Sequence, residues 1–65
     1  SLYPTIKKIN DNYEREEKTE LLKKLWQLVA VDNVVDPYEE SLYFQIADLI
    51  YIKRSKANQI KQTNS

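Results

Sequence analysis

The chain has 65 residues with ten acidic and ten basic side chains, and it contains no Cys, His, Gly or Met. This length permits one helical domain, residues 1–65, whose core is marginal without support from partners. Because the chain has no Cys and no His, it cannot form disulfides or zinc sites built from thiolates or imidazoles. Because it has no Gly, it also lacks Gly-rich phosphate-binding loops.

The balanced charge disfavours a nucleic-acid or anionic-membrane binder. Because no apolar run approaches the roughly 20 residues that span a bilayer, we expect no membrane partner and a soluble cytoplasmic protein.

The first predicted element is a short helix from about Pro4 to Ile9. Its apolar residues recur at intervals of three and four, which is the spacing of one helical face. Proline fits the first turn of a helix, where its missing N–H has no partner to lose. Asn10 to Asn12 are expected to interrupt the helix, because Asn and Asp side chains bond to their own backbone in turns.

The longest predicted helix runs from about Glu14 to Asp32, with Asp11 or Asn12 as its cap. On a helical wheel its apolar side chains cover a continuous arc of roughly 160°. The arc consists of Leu21, Leu22, Leu25, Trp26, Leu28 and Val29. Such an arc is wider than one neighbouring helix can cover, so we expect it to meet at least two.

The connection after this helix contains two recognisable signals. Asn33 is suited to the left-handed conformation that ends a helix, and Val34 is then expected to fold back on the last turn. Asp36, Pro37 and Glu39 have the spacing of a helix start: a capping Asp, Pro at the first helical position, and Glu three residues after the cap.

The third predicted helix extends from Pro37 to about Tyr51 and has two apolar faces. The main stripe, about 140° wide, contains Tyr38, Leu42, Tyr43, Ile46, Leu49 and Ile50. Phe44, Ala47 and Tyr51 form the second patch. A turn at Ile52–Ser55 precedes a last short helix that is expected to end near Gln62, and residues 62–65 are expected to form a frayed tail.

The run from Leu21 to Glu39 resembles the TerB-like family, the tellurite-resistance helical domains. The resemblance rests on a Leu-Trp helix (Leu25-Trp26), the loop Ala30-x-Asp32-Asn33, and Glu39 at the start of the next helix. Asn33 stands where the family usually has Gly. The similarity covers about Arg15 to Ile60, or about half of a typical family domain, its C-terminal half. It implies an all-α fold, a small antiparallel bundle of three to four helices, and a role in stress or metalloid responses of poorly defined chemistry. It does not imply catalysis.

The two long helices carry more apolar surface than a two-helix hairpin can bury. We therefore expect Leu22, Trp26, Phe44 and Ile46 to be covered either by missing N-terminal helices or by another subunit. The simplest assembly is a two-fold homodimer, and a different protein partner is the alternative.

The candidate site is acidic and consists of Asp32, Asp36, Glu39 and Glu40, which gather around the connection. Calcium and magnesium prefer several oxygen ligands, which carboxylates and loop carbonyls supply. The alternative is that Asp36 and Glu39 form a capping box and that the other two are solvated. The loop is not an EF-hand, because it lacks the Gly and has Val34 where a ligand is needed.

Other functions are less well supported by the residues. A small hydrolase would need a nucleophile and a pocket beside the carboxylates, so we expect no enzyme.

The C-terminal part of the chain contains a basic stretch, Lys53, Arg54, Lys56 and Lys61. It either contacts a phosphate or acidic partner or simply places cations near helix ends. Trp26 either belongs to a binding surface or, as we expect, is buried. The favoured hypothesis is a non-enzymatic interaction module, and the alternative is a divalent-cation-binding regulatory domain.

Overall fold

The computed structural model describes residues 1–64, which form four helices and no strand: α1 Tyr3–Asn12, α2 Arg15–Val29, α3 Pro37–Leu49 and α4 Arg54–Thr63. Helices α2, α3 and α4 pack against one another in all three pairings. Helix α1 contributes Ile6 to the same core and bonds to the end of α3 through Asn10. The predicted all-α helical bundle is confirmed.

Helix α1 is longer than predicted, because its Asn side chains bond elsewhere. Asn12 Nδ2 donates to the Lys8 carbonyl at 2.8 Å, and Asn10 Nδ2 donates to the Leu49 carbonyl of α3 at 3.0 Å. Neither side chain is then used to make a turn, so the predicted interruption at Asn10 is wrong. Helix α2 is capped by Glu14 rather than by Asp11 or Asn12: the Glu14 N–H donates to Glu17 Oε1 at 2.9 Å in a capping box.

The core is built around three aromatic rings in contact. Trp26 and Tyr43 meet edge to face with centroids 5.0 Å apart, and Tyr43 and Phe44 do so at 5.1 Å. The Tyr43 hydroxyl donates to the Ala57 carbonyl at 2.7 Å, which ties α3 to α4. The remaining buried side chains are Ile6, Leu22, Val29, Ala47, Ile50, Ile52, Ala57 and Ile60.

The apolar surface of the two long helices is largely covered within one chain. Leu22 and Trp26 are each 1% exposed, Phe44 is buried, and Ile46 is half-buried against the core. The expectation of outside cover is therefore wrong for Leu22, Trp26 and Phe44, whereas Ile46 is only half-buried. The helical wheel of each helix does not show that α4 packs against both of them or that Ile6 of α1 joins their core.

Helix α3 ends in a motif that normally uses glycine. Tyr51 has φ +64°, its N–H donates to the Asp48 carbonyl at 3.1 Å, and the Ile52 N–H donates to the Ala47 carbonyl at 2.9 Å. This is the Schellman pattern, with a bulky residue in the left-handed position. The other left-handed residue is Asn33 with φ +62°, as predicted. Val34 is exposed, so its predicted fold-back contact is wrong.

Tyr51→Gly is expected to raise the free energy of unfolding by about 0.5–1 kcal/mol, because glycine has no Cβ to strain a positive φ. Asn33→Gly is the control and should change the stability less, since Asn tolerates this conformation. Urea denaturation of the two variants measures the difference. Equal effects would show that Tyr51 is not strained.

Helix α4 continues beyond its predicted end. The helix includes Gln62 and Thr63, and Asn64 Nδ2 donates to the Ile60 carbonyl at 2.9 Å. Fraying of residues 62–65 stays a prediction. Ser65, the last residue of the predicted tail, lies outside the described residues.

Candidate functional site

Two of the predicted site residues stabilise the backbone between α2 and α3. Asp32 Oδ1 accepts a hydrogen bond from the Val34 N–H at 3.1 Å, and Asp36 Oδ1 accepts one from the Tyr38 N–H at 2.7 Å. Asp36 is therefore the N-cap of α3, as the sequence predicts. In each of the two carboxylates, one oxygen accepts a hydrogen bond from the backbone N–H two residues later.

The other two predicted site residues, Glu39 and Glu40, lie in different environments. Glu40 forms an ion pair with Lys61 of α4. Glu39 is exposed and lines a depression between α2 and α3. Asp36 caps α3 through the Tyr38 N–H alone, so the capping box expected from Asp36 and Glu39 does not form. Among residues 1–64, no three Asp or Glu side chains lie where they could hold a metal ion together. The structure does not bring the four carboxylates together, and cation binding stays a prediction.

Calorimetric titration with calcium and with magnesium tests that prediction. If the loop binds a cation, the titration gives saturable heat and the Tm rises, and both effects are lost in Asp32→Asn, which keeps a side-chain acceptor for the turn. Glu16→Gln, on the exposed side of α2, is the control and should leave the binding unchanged. No heat and an unchanged Tm would reject the cation hypothesis.

An apolar groove lies beside this loop, between α2 and α3. It has a volume of about 120 Å³. Its lining residues are Leu25, Leu28 and Val29 from α2, and Glu39, Leu42, Tyr43 and Ile46 from α3. The spacing of three and four residues on each helix places them on one face, next to the face that forms the core.

Leu28 is the most exposed aliphatic side chain of the groove, at 68%. Leu25, Leu42 and Ile46 are half-buried, and Val29 and Tyr43 form the buried floor. Leu28 and the half-buried side chains around it thus form a small apolar depression on the surface. The sequence placed Leu28 in an apolar arc without showing that this edge of the arc would stay open.

The comparison with family models decides the family. The model described as tellurite resistance protein TerB matches residues 1–62. The chain belongs to the TerB family. The match includes α1 and so extends further than the predicted resemblance from Arg15 to Ile60. No curated protein and no solved structure gave a significant match.

In this TerB-family chain two of the three basic residues of α4 cover aromatic rings of the core. The Arg54 guanidinium lies 4.2 Å from the centre of the Phe44 ring, and Lys61 Nζ lies 5.6 Å from that of Trp26. Such contacts stabilise a cation over the face of a ring. Arg54 and Lys61 thus have structural roles, and Trp26 belongs to the core as expected.

None of the helices in residues 1–64 combines the length and the apolar character needed to cross a membrane.

Proposed function

We propose that this TerB-family chain is a non-enzymatic interaction module that binds one helix of a protein partner in the groove between α2 and α3. The observation that carries the proposal is the row of aliphatic side chains along one concave surface, in which Leu28 is exposed and Leu25, Leu42 and Ile46 are half-buried. An amphipathic helix buries its apolar face in such a groove through side chains spaced three and four residues apart.

The size of the groove supports a helix as the occupant. From Glu39 to Ile46 it follows about two turns of α3, or about 10 Å. Three side chains at positions i, i+4 and i+7 of a helix cover the same length. The volume of about 120 Å³ is close to the 150 Å³ or so of an apolar cavity that holds benzene. It therefore suits an aliphatic or aromatic anchor.

A binding role also agrees better with the side chains than an enzymatic role does. Glu39 and Tyr43 are the titratable residues that line the groove. The Tyr43 hydroxyl donates to the Ala57 carbonyl, and no nucleophile accompanies Glu39 there. The family name links related proteins to tellurite resistance, and we propose that this chain acts in such a stress response by holding a partner protein.

The two-fold homodimer remains a second proposal, and the groove suits it less well. A standard interface buries about 800 Å² on each partner, about a sixth of the 4959 Å² surface of this chain. The groove has only seven lining residues, two of which are already buried. A single helix matches this area better than a second globular chain does.

The test is selection of groove binders from a displayed library of helical peptides with fixed leucines at spacings of four and three. Selected peptides should bind Leu28→Glu at least about tenfold more weakly than the unmodified chain, the loss expected from one buried leucine contact. Leu2→Glu is the matched control, since Leu2 is exposed on the chain but does not line the groove. Binders that are all indifferent to Leu28→Glu would contradict the proposed function.

A further inference from the structure

The charges of this chain are strongly segregated along the sequence, although they balance overall. From Leu25 to Ile52 there are five acidic residues and no Lys or Arg. These acids are Asp32, Asp36, Glu39, Glu40 and Asp48. The groove is lined entirely by residues of this segment.

Most of these carboxylates form no ion pair with a Lys or Arg of residues 1–64. Among residues 1–64 the ion pairs are Lys7 with Asp11 and Lys61 with Glu40. Asp32 and Asp36 bond to backbone N–H groups, and Glu39 lies on the groove itself. Glu39 on the groove, and Asp32 and Asp36 in the connection between its two helices, therefore carry charges that a partner can neutralise.

We propose that the partner helix is basic: it places Lys or Arg side chains near Asp32, Asp36 and Glu39 while its apolar residues fill the groove. This inference rests on the proposed function and adds the charge of the partner to it. Apolar contacts supply the affinity, and the charge complementarity selects basic helices and orients them, because like charges on the partner would be repelled.

The probes are three synthetic peptides of about 15 residues, or about four helical turns. They share leucines at spacings of four and three and differ at three flanking positions at one end, which are Lys, Gln or Glu. By fluorescence anisotropy we expect the Lys peptide to bind about tenfold more tightly than the Gln peptide, because three exposed ion pairs each contribute a little. The Glu peptide should bind most weakly. The differences should shrink at about 1 M salt, where the Debye length falls to about 3 Å.

The combined variant Asp32→Asn, Asp36→Asn and Glu39→Gln tests the carboxylates directly. Asn keeps the turn and cap hydrogen bonds, so the fold is retained while three charges are removed. We expect this variant to bind the Lys and Gln peptides equally. The matched control, Asp11→Asn with Glu16→Gln and Glu20→Gln, also removes three charges but lies outside the acidic segment. It should keep the preference for Lys.

The outcomes separate the inference from the proposed function. If all three peptides bind equally and lose affinity in Leu28→Glu, the inference is wrong and the proposed function stands. If none of them binds, both are overturned. Sedimentation velocity without peptide gives the remaining outcome: a dimer that Leu28→Glu dissociates would show that a second copy occupies the groove, which also overturns the inference.

Discussion

Leu22→Ala is expected to lower the free energy of unfolding by about 2–5 kcal/mol, whereas Leu28→Ala should change it by less than about 0.5 kcal/mol. The two leucines lie on the same helix and in the same apolar arc of the sequence. Leu22 is buried in the core, so its removal leaves a cavity among packed side chains. Leu28 is open to solvent, so its removal leaves none. The pair therefore tests where the core ends and the groove begins.

Urea denaturation followed by fluorescence of Trp26, the only tryptophan, measures both changes. Domains have a total stability of about 5–15 kcal/mol, so a loss at the upper end of the expected range prevents folding of a chain this small. Leu22→Val removes less volume and should cost about 1 kcal/mol, which keeps the comparison measurable. Equal losses for the variants at positions 22 and 28 would contradict the core described above. Leu28→Ala should still weaken peptide binding.

The features that the sequence predicts correctly depend on neighbours along the chain. Asp36 caps α3 because its carboxylate needs to reach only the N–H two residues later. Asn33 adopts a positive φ because its own side chain tolerates that conformation. The helical character of α2 and α3 follows from the spacing of their apolar residues.

The features that the sequence does not predict depend on contacts distant along the chain. Helix α1 continues past Asn10 because that side chain finds the carbonyl of Leu49, 39 residues away. Tyr51 occupies a position that favours glycine, and its neighbour Ile52 is buried there. No local rule identifies these partners. The helical wheel likewise predicts burial equally for Leu22 and Leu28, because it does not show which edge of the apolar arc a neighbouring helix covers.

The same distinction applies to the candidate site. The sequence predicts the acidic connection between α2 and α3. It also predicts that Asp36 caps α3, because that role depends only on residues next to Asp36 in the chain. The position of Glu40 in the sequence places it in the candidate cation site beside the loop. In the structure Glu40 instead pairs with Lys61, which lies 21 residues further along the chain. The groove arises only when α2 and α3 pack side by side. The absence of basic residues between Leu25 and Ile52 was the signal in the sequence that could have indicated an unusual surface.

Stability at high pH is expected to depend on Tyr43. Burial raises the pKa of Tyr43 to about 12, whereas a tyrosine in an unfolded chain ionises near pH 10. Between these values the unfolded chain binds fewer protons than the folded chain, so the free energy of unfolding falls as the pH rises. This contribution is fully present below about pH 10 and is lost as the pH approaches 12, by an amount on the order of 2 kcal/mol.

Tyr43→Phe removes the group that titrates but keeps the ring in contact with Trp26 and Phe44. At pH 7 the variant should be less stable by about 1 kcal/mol, because the hydrogen bond to the Ala57 carbonyl is lost. Its stability should then fall less steeply than that of the unmodified chain above pH 10, so that the two profiles converge and cross before pH 12. Urea denaturation followed by circular dichroism between pH 7 and pH 12 measures both profiles. Tyr38→Phe, at an exposed position, is the control that should follow the unmodified chain throughout. Parallel profiles for Tyr43→Phe and the unmodified chain would show that the Tyr43 hydroxyl is not held in the interior.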